Sequence, residues 1–330
     1  MGWRIGDQDR QIFERELAAF VPPRIFDTHA HLYEKSQFHG APPAIVASGP
    51  DSVGWETYRE HIAQILPGRK VSALFFGFPD PKLNMPAAND FLIHEARRDA
   101  NSRGQMLVTP EMDPEFIRGT VRREKFAGLK CYHCYATEKP TFEAAIPSYL
   151  PEEQVKVAHE EGLSITLHMV KRRAIADPSN QKTIRAYAER YPNARLILAH
   201  TARGFNPYHV IEGIGALRGL RNIWCDTAAV TEAGGFEAIA RTLGVDRLLY
   251  GSDFPISHDC GRCVALGDSF HWISPENTKF DAAYAEVGPV SIGTESLRAL
   301  KVACLNLGLS DSQVEAIFYG NAAELFGLKK

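Results

Sequence analysis

Short apolar runs alternate with segments of helical periodicity along most of the chain. Each run is β-branched or apolar and ends in polar residues or in Gly and Pro, which is typical of a buried strand. The eight predicted strands are Ile25–Leu32, Val71–Phe78, Gln105–Pro110, Gly128–Cys134, Ser164–Met169, Arg195–His200, Asn222–Thr227 and Arg247–Ser252. The predicted helices are Thr57–Leu66, Ala88–Arg103, Pro114–Glu124, Pro151–Glu161, Ala176–Tyr191, Tyr208–Leu217, Phe236–Leu243, Thr294–Leu305 and Ser312–Phe318.

This alternation of strand and helix predicts parallel βαβ units. Right-handed crossovers throughout would close eight of them into an α/β fold, the (β/α)8 TIM barrel. The alternative is an open doubly wound sheet, but such a sheet usually carries a Gly-rich turn after its first strand, and the sequence has none there. We expect residues 1–23 to form an N-terminal helix packed on a barrel of residues 24–330.

Two predicted connections are too long to be simple loops. They are residues 33–56, after strand one, and residues 254–293, after strand eight. Both leave the C-terminal ends of strands, where the active sites of such barrels are built. Long loops at that end predict lids or substrate walls, and tolerated surface insertions are the alternative.

Composition and charge narrow the class of protein. Hydrophobic residues make up 45% of the chain and charged residues 23%, and the net charge is −3. The chain has no long basic or acidic run, so we do not expect it to bind nucleic acid or anionic membranes. No signal peptide or membrane-length apolar run is evident. We therefore expect a cytoplasmic enzyme whose substrate is a small molecule. If the chain associates, a homodimer is expected.

Two histidines on the first predicted strand are the first candidate chemistry. His29 and His31 alternate on one face, together with Asp27. Same-face neighbours lie roughly 6–7 Å apart, which allows two imidazoles to bind one metal ion. An ordinary pair of half-buried histidines is the alternative.

Further polar side chains lie within or at the ends of later apolar runs. They are Lys130 on strand four, His168 ending strand five, His200 ending strand six and Asp253 after strand eight. Burying such groups unpaired costs several kcal/mol, so their repeated placement there indicates a site. Three imidazoles and a carboxylate suit Zn²⁺ or a similar divalent ion.

Four motifs in this order resemble the amidohydrolase superfamily, and in detail its amidohydrolase-2 (decarboxylase-like) branch. They are Phe-Asp-Thr-His-Ala-His at 26–31, Leu-Ala-His-Thr-Ala-Arg-Gly at 198–204, Tyr-Gly-Ser-Asp-Phe-Pro at 250–255 and Tyr-Gly-Asn-Ala-Ala-Glu-Leu-Phe-Gly-Leu at 319–328. The resemblance extends from about residue 24 to residue 328, and it implies a metal-dependent TIM-barrel enzyme.

The resemblance also implies roles. His29, His31, His168 and Asp253 would bind the metal, Asp253 would act as general base, and His200 would orient the attacking water. Zn²⁺ is the first expectation and Mn²⁺ fits about as well.

Lys130 decides between one metal ion and two. In two-metal members of the superfamily the equivalent lysine is carbamylated and bridges the ions. The motifs favour one ion, in which case Lys130 is a cation for a substrate carboxylate.

Three more residues are predicted to bind substrate. Tyr132 shares the inward face with Lys130 by strand alternation, which turns His133 away. Arg203 follows strand six and Glu111 follows strand three, and for Glu111 a solvated turn acid is the alternative. Asp226, near the end of strand seven, is a candidate to orient a histidine ligand, and a structural acid at the strand end is the alternative.

Two Cys-x-x-Cys pairs and an aromatic run leave alternatives open. Cys131/Cys134 and Cys260/Cys263 are expected to be free thiols, with a four-thiolate zinc site as the alternative. Residues 270–272, Phe-His-Trp, would cap the substrate or form the core of a lid.

The sequence thus predicts a metal-dependent hydrolase acting on a C–O or C–N bond of a small carboxylate-bearing molecule, with a lactone as the first expectation. Non-oxidative decarboxylation of an aromatic or enoic acid is the alternative reaction. A barrel that only binds a ligand is the third hypothesis.

Overall fold

Eight parallel strands form the framework of the protein. The computed structural model describes residue 3, residues 5–279 and residues 288–328. The strands are β1 (Arg24–Glu34), β2 (Lys70–Gly77), β3 (Arg103–Leu107), β4 (Gly128–Tyr132), β5 (Ser164–His168), β6 (Arg195–Leu198), β7 (Ile223–Asp226) and β8 (Leu248–Leu249). Each pairs in parallel with the next along the chain.

Backbone hydrogen bonds across the seam between β1 and the segment after β8 close the ring. Thr28 N donates to Tyr250 O over 2.8 Å, and Asp253 N donates to His29 O over 2.9 Å. His31 N donates in turn to Phe254 O over 2.8 Å. The predicted TIM barrel is therefore confirmed.

Helices lie between the strands and at both ends of the chain. The α-helices are Asp7–Ile12, Ala44–Ser48, Trp55–Ile65, Met85–Ala96, Pro114–Glu124, Glu152–Glu160, Pro178–Arg190, Pro207–Gly213, Ala233–Thr242, Ile292–Leu307, Asp311–Glu315 and Asn321–Phe326. Single π-helical turns follow at Phe13–Leu17 and Ala316–Gly320. The second predicted helix begins earlier than expected because Asn84 Oδ1 accepts a hydrogen bond from Ala87 N, and Pro86 occupies the first turn.

The C-terminal helix closes the end of the barrel opposite the predicted site. Ala322, Ala323 and Leu325 pack against Phe26 and Leu249 inside the ring. Asn321 Nδ2 donates hydrogen bonds to Val245 O and Leu248 O over 3.0 and 2.8 Å. Because the C-terminal helix fills this end, the predicted site can be reached only from the other end of the barrel.

Both long connections carry structure of their own. Residues 33–56 hold a two-residue strand, Ser52–Val53, antiparallel to the end of β1. Residues 254–293 hold a hairpin of β9 (Arg262–Leu266) and β10 (Ser269–Ile273), and residues 280–287 of that connection lie outside the described residues.

The N-terminal segment contacts both connections. The Trp3 ring lies 5.3 Å from the Phe254 ring, and Trp3 Nε1 donates to Ile45 O. The buried carboxylate of Asp9 accepts hydrogen bonds from Ser291 N and Thr294 Oγ1. Within the described part of the chain, no helix has the length and apolar character needed to cross a bilayer.

Candidate metal centre

Strand β1 brings His29 and His31 to the open end of the barrel. Their ring centroids lie 5.5 Å apart. The pairing of β1 with β2 is irregular between Asp27 and Ala30. The Asp27 carboxylate accepts hydrogen bonds from Ser252 N and Tyr58 Oη, each over 2.8 Å. Asp27, predicted on the same face as the histidines, therefore supports the seam of the barrel.

Asp253 lies opposite the two histidines. Its backbone has φ 61°, a left-handed conformation that is unusual for a residue other than Gly. Asp253 Oδ1 is 3.3 Å from His29 Nε2 and 3.6 Å from His31 Nε2, and Oδ2 is 3.9 Å from His200 Nδ1. The two carboxylate oxygens thus face different neighbours.

His200 begins a left-handed helical turn. The strand predicted to reach His200 ends at Leu198, and residues 200–203 all have φ between 55° and 58°. L-residues resist this conformation, so it needs support from its surroundings. Asp226 supplies it, because Oδ1 accepts from His200 N over 2.7 Å and the backbone oxygen accepts from Thr201 Oγ1.

Three of the imidazoles are each held through Nδ1. His29 Nδ1 donates to Asp226 Oδ2 over 2.8 Å, His31 Nδ1 to Gly77 O over 3.1 Å, and His200 Nδ1 to Ala228 O over 3.0 Å. Fixing the proton on Nδ1 leaves the lone pair on Nε2, which is the usual arrangement for a metal-binding histidine. The prediction that Asp226 orients a histidine matches this geometry.

Ligand atoms of His29, His200 and Asp253 lie within 4.8 Å of one another, and no other three His, Cys, Asp or Glu side chains of the described residues are grouped as closely. His168 lies beside this group, its ring 4.9 Å from that of His200. Its Nδ1 is buried and has no hydrogen-bond partner among the described residues. An unpaired buried nitrogen is costly, and a bound ion would satisfy it.

The protonation states also suit a cation. Burial lowers the pKa of His29, His31 and His168, and lowers that of His200 to about 4. Burial acts to raise the pKa of Asp253, but His200 and His31 outweigh it, so this pKa lies below its ordinary value. Neutral imidazoles and an ionised carboxylate are the forms that bind a divalent ion, so the residues present fit one.

Lys130 lies fully buried on β4. Its Nζ has no hydrogen-bond partner among the described residues and lies 4.2 Å from the centroid of the Phe76 ring. Burial lowers the pKa of Lys130 to about 8, although the charges of Asp226 and Asp253 act in the opposite direction. With a pKa of about 8, Lys130 is mostly protonated at neutral pH, and it has no hydrogen-bond partner among the described residues.

Of the other predicted substrate-binding residues, the structure places two near the centre. The Tyr132 ring lies 4.3 Å from the His168 ring. Arg203 donates from Nη1 to Lys171 O and lies 5.4 Å from the Phe270 ring centroid. Glu111 is exposed and lines a surface groove with Met112 and Gln154, so the structure does not bring it to the histidines.

Sequence reasoning missed residues that line the centre. The ring centroid of Phe76 lies 4.8 Å from that of His29 and 4.7 Å from that of His31. Phe76 and Phe78 are two residues apart on the second predicted strand, and this spacing could have indicated that both face the barrel interior. His133 was predicted to point away, yet its ring lies 5.4 Å from that of His168. The reason is that β4 ends at Tyr132 and a 3-10 turn, His133–Tyr135, begins, so alternation no longer applies.

Two other sequence features lie outside the centre. All six cysteines are free thiols, and the described residues hold no metal-binding group that contains one. The aromatic run of the β9–β10 hairpin packs on Phe205, whose ring lies 5.2 Å from that of Phe270 and 5.4 Å from that of Trp272. Phe205 in turn lies 5.2 Å from the His200 ring, so the hairpin covers the centre from that side.

Solved structures of similar fold come from several enzymes. A candidate 2-pyrone-4,6-dicarboxylic acid hydrolase from Pseudomonas putida is 16% identical with TM-score 0.58, covering 94% of this chain and 100% of its own. 4-Oxalomesaconate hydratase from Rhodopseudomonas palustris is 15% identical with TM-score 0.56, covering 92% and 96%. A manganese-bound dihydroxybenzoic acid decarboxylase from Polaromonas sp. JS666 is 13% identical with TM-score 0.56, covering 94% and 98%.

At these identities the likeness supports the fold alone. Among curated proteins, no sequence matches the chain significantly. A family model described as Amidohydrolase matches residues 26–328, which is most of the 330-residue chain. The chain therefore belongs to the amidohydrolase family of metal-dependent enzymes.

Proposed function

We propose that the protein is a metal-dependent hydrolase that cleaves a C–O or C–N bond, first of all a lactone, in a small carboxylate-bearing molecule. The observation that carries the proposal is the convergence of three oriented imidazoles on the single carboxylate of Asp253. We propose His29, His31, His168 and Asp253 as the metal ligands. One ion is favoured, with Zn²⁺ first and Mn²⁺ second.

A bound divalent ion would polarise the substrate carbonyl and make water more acidic. Asp253 is proposed as the general base: Oδ1 faces His29 and His31, whereas Oδ2 faces His200. We therefore expect Oδ2 to accept the proton of an attacking water and to return it to the leaving oxygen or nitrogen. His200, held by Ala228 O and Asp226, keeps that water on the carbonyl.

Lys130 supports the choice of an acidic substrate. A buried ammonium group without a hydrogen-bond partner gains most from an anion that it can contact directly. Because Lys130 and Asp253 both face the same barrel end, a carboxylate at Lys130 would hold the scissile bond near Asp253. Tyr132 and Arg203 are proposed to line the rest of the pocket.

The test is proton release measured in a pH-stat with carboxylated lactones, esters and amides, using metal-loaded enzyme. Loss of the general base in Asp253→Asn should lower kcat by about 10²–10⁴. Asp259→Asn, an exposed carboxylate on the same loop, is the matched control and should keep the wild-type rate. Absence of hydrolysis across the panel, or an Asp253→Asn variant with the wild-type kcat, would reject the proposal.

Decarboxylation is the second candidate because aromatic side chains surround the centre. Phe76, Phe78, Tyr132 and Phe205 lie within 5.2 Å, centroid to centroid, of the site histidines, and flat apolar walls suit a planar acid. The structural neighbour from Polaromonas is named as a decarboxylase of such an acid. Release of CO₂ from hydroxybenzoates, with no hydrolysis of the lactones, esters and amides, would favour this reaction.

A further inference from the structure

His133 is a buried polar side chain that has no role in the reaction proposed above. It is 5% exposed, and its Nδ1 has no partner of hydrogen-bond geometry among the described residues. Its ring lies 4.5 Å from the Phe142 ring and 4.9 Å from the Tyr132 ring. Leaving such a nitrogen unpaired costs about 1–3 kcal/mol, so a ligand that reaches it would gain a hydrogen bond.

Arg203 also has a buried nitrogen without a hydrogen-bond partner among the described residues. This nitrogen is Nε, and among the described residues the guanidinium group has no hydrogen bond to a carboxylate. Within the described part of the chain, its guanidinium group donates one hydrogen bond to Lys171 O and lies over the face of the Phe270 ring. A partly buried guanidinium group without a counter-ion is well suited to bind an anion.

A continuous set of contacts joins these two residues. Phe142 covers the His133 ring, and Phe142 O accepts a hydrogen bond from Lys171 N over 2.8 Å. Lys171 O accepts from Arg203 Nη1 over 2.9 Å. Burial lowers the pKa of His133 to about 4, and the charge of Arg203 is the next largest cause; the ring of His133 lies 5.4 Å from that of His168. His133 and Arg203 therefore belong to one wall beside His168.

We propose that Arg203 and His133 form a second carboxylate subsite, so that the physiological substrate is a small planar acid with two anionic groups. One group would contact Lys130, and the other would accept hydrogen bonds from Arg203 Nε and from the His133 imidazole. The Tyr132 and His168 rings, 4.3 Å apart and inclined by 42°, would contact the flat body between them. This inference rests on the proposed function for the reaction, but not for binding.

The test is calorimetric binding of two probes, benzoate and isophthalate (benzene-1,3-dicarboxylate), to metal-loaded enzyme. Wild-type enzyme should bind isophthalate about tenfold or more tightly than benzoate, since one charge-assisted subsite distinguishes them. Arg203→Met and His133→Phe should each remove most of that preference, while benzoate affinity changes by less than about threefold. Arg203→Lys should recover it only in part, because lysine lacks the planar fork.

His94→Phe, at an exposed helical histidine, is the matched control and should keep the wild-type preference. If Arg203→Met fails to fold, as judged by circular dichroism, His133→Phe carries the test alone. Equal affinities for the two probes in wild-type enzyme, or variants that lose both probes equally, would overturn the subsite. Isophthalate preference in an enzyme that hydrolyses nothing would instead reject the proposed reaction and leave the subsite standing.

Discussion

Replacing Asp226 with asparagine should weaken metal binding although Asp226 is not a proposed ligand. The introduced amide would keep an oxygen for the two backbone donors, His200 N and Ala228 N, which now lie 2.7 and 3.2 Å from Asp226 Oδ1. Its NH₂ group would then face His29 Nδ1, where Asp226 Oδ2 now accepts a hydrogen bond over 2.8 Å. Two donors cannot face each other, so His29 would move its proton to Nε2 and lose the lone pair that points at Asp253.

The size of the effect follows from the burial of this pair. The side chains of His29 and Asp226 are 1% and 0% exposed, so water cannot replace the lost acceptor. Loss of a partner that orients a metal-binding histidine typically costs 10–100-fold in affinity. That range equals about 1.4–2.8 kcal/mol, and the complete burial favours its upper end.

The assay is competition of metal-free protein with a chelator for Zn²⁺ at pH 8, above the Asp226 pKa that burial raises to about 7. Asp246→Asn is the control, since that carboxylate is 65% exposed and pairs with Arg247 at the opposite barrel end. Circular dichroism verifies that both variants fold. A Kd for Asp226→Asn within threefold of wild type would refute the tautomer argument.

Three further results are expected. Lys130→Met should raise the Tm, since it removes a buried amine without a hydrogen-bond partner, and should raise KM for an acidic substrate; a Tm several degrees lower in calorimetry would contradict this. Because burial lowers the pKa of Lys130 to about 8, its charge is present below that pH and lost above it. KM should therefore rise between pH 8 and 10 in wild type but not in Lys130→Arg, and a flat wild-type profile would argue against a carboxylate at Lys130. Asp27→Ala should cost about 3 kcal/mol or more in urea unfolding, because four buried donors lose their acceptor; a cost below about 1 kcal/mol would show that they find others.

The strands and the polar residues at their ends could be predicted because both leave a periodic signal. Eight apolar runs required eight buried strands, and a buried ring of parallel strands sends their C-terminal ends to one side. Lys130, His168, His200 and Asp253 then had to meet near one another, whatever the loops did. The structure places them there, around His29 and His31.

The local backbone at those strand ends left no such signal. Residues 200–203 adopt a left-handed turn with no Gly in it, and it is held by hydrogen bonds to residues distant in the sequence, among them Asp226. His133 could not be found by alternation because the strand stops one residue earlier. In both cases contacts with other parts of the barrel decide the conformation. The spacing of apolar residues along the chain gives no information about those contacts.

Metal binding and barrel closure should be thermodynamically linked, because His29 and Asp253 lie on opposite sides of the same seam. The hydrogen bond from Asp253 N to His29 O both closes the ring and sets the separation of two proposed ligands. An ion shared between them adds a cross-link that exists only in the folded state, so it should stabilise by about 4 kcal/mol at a free concentration of 1,000 Kd. Urea unfolding of metal-free and Zn²⁺-loaded protein measures this difference. Equal unfolding free energies would mean that these side chains do not share an ion, however close they lie.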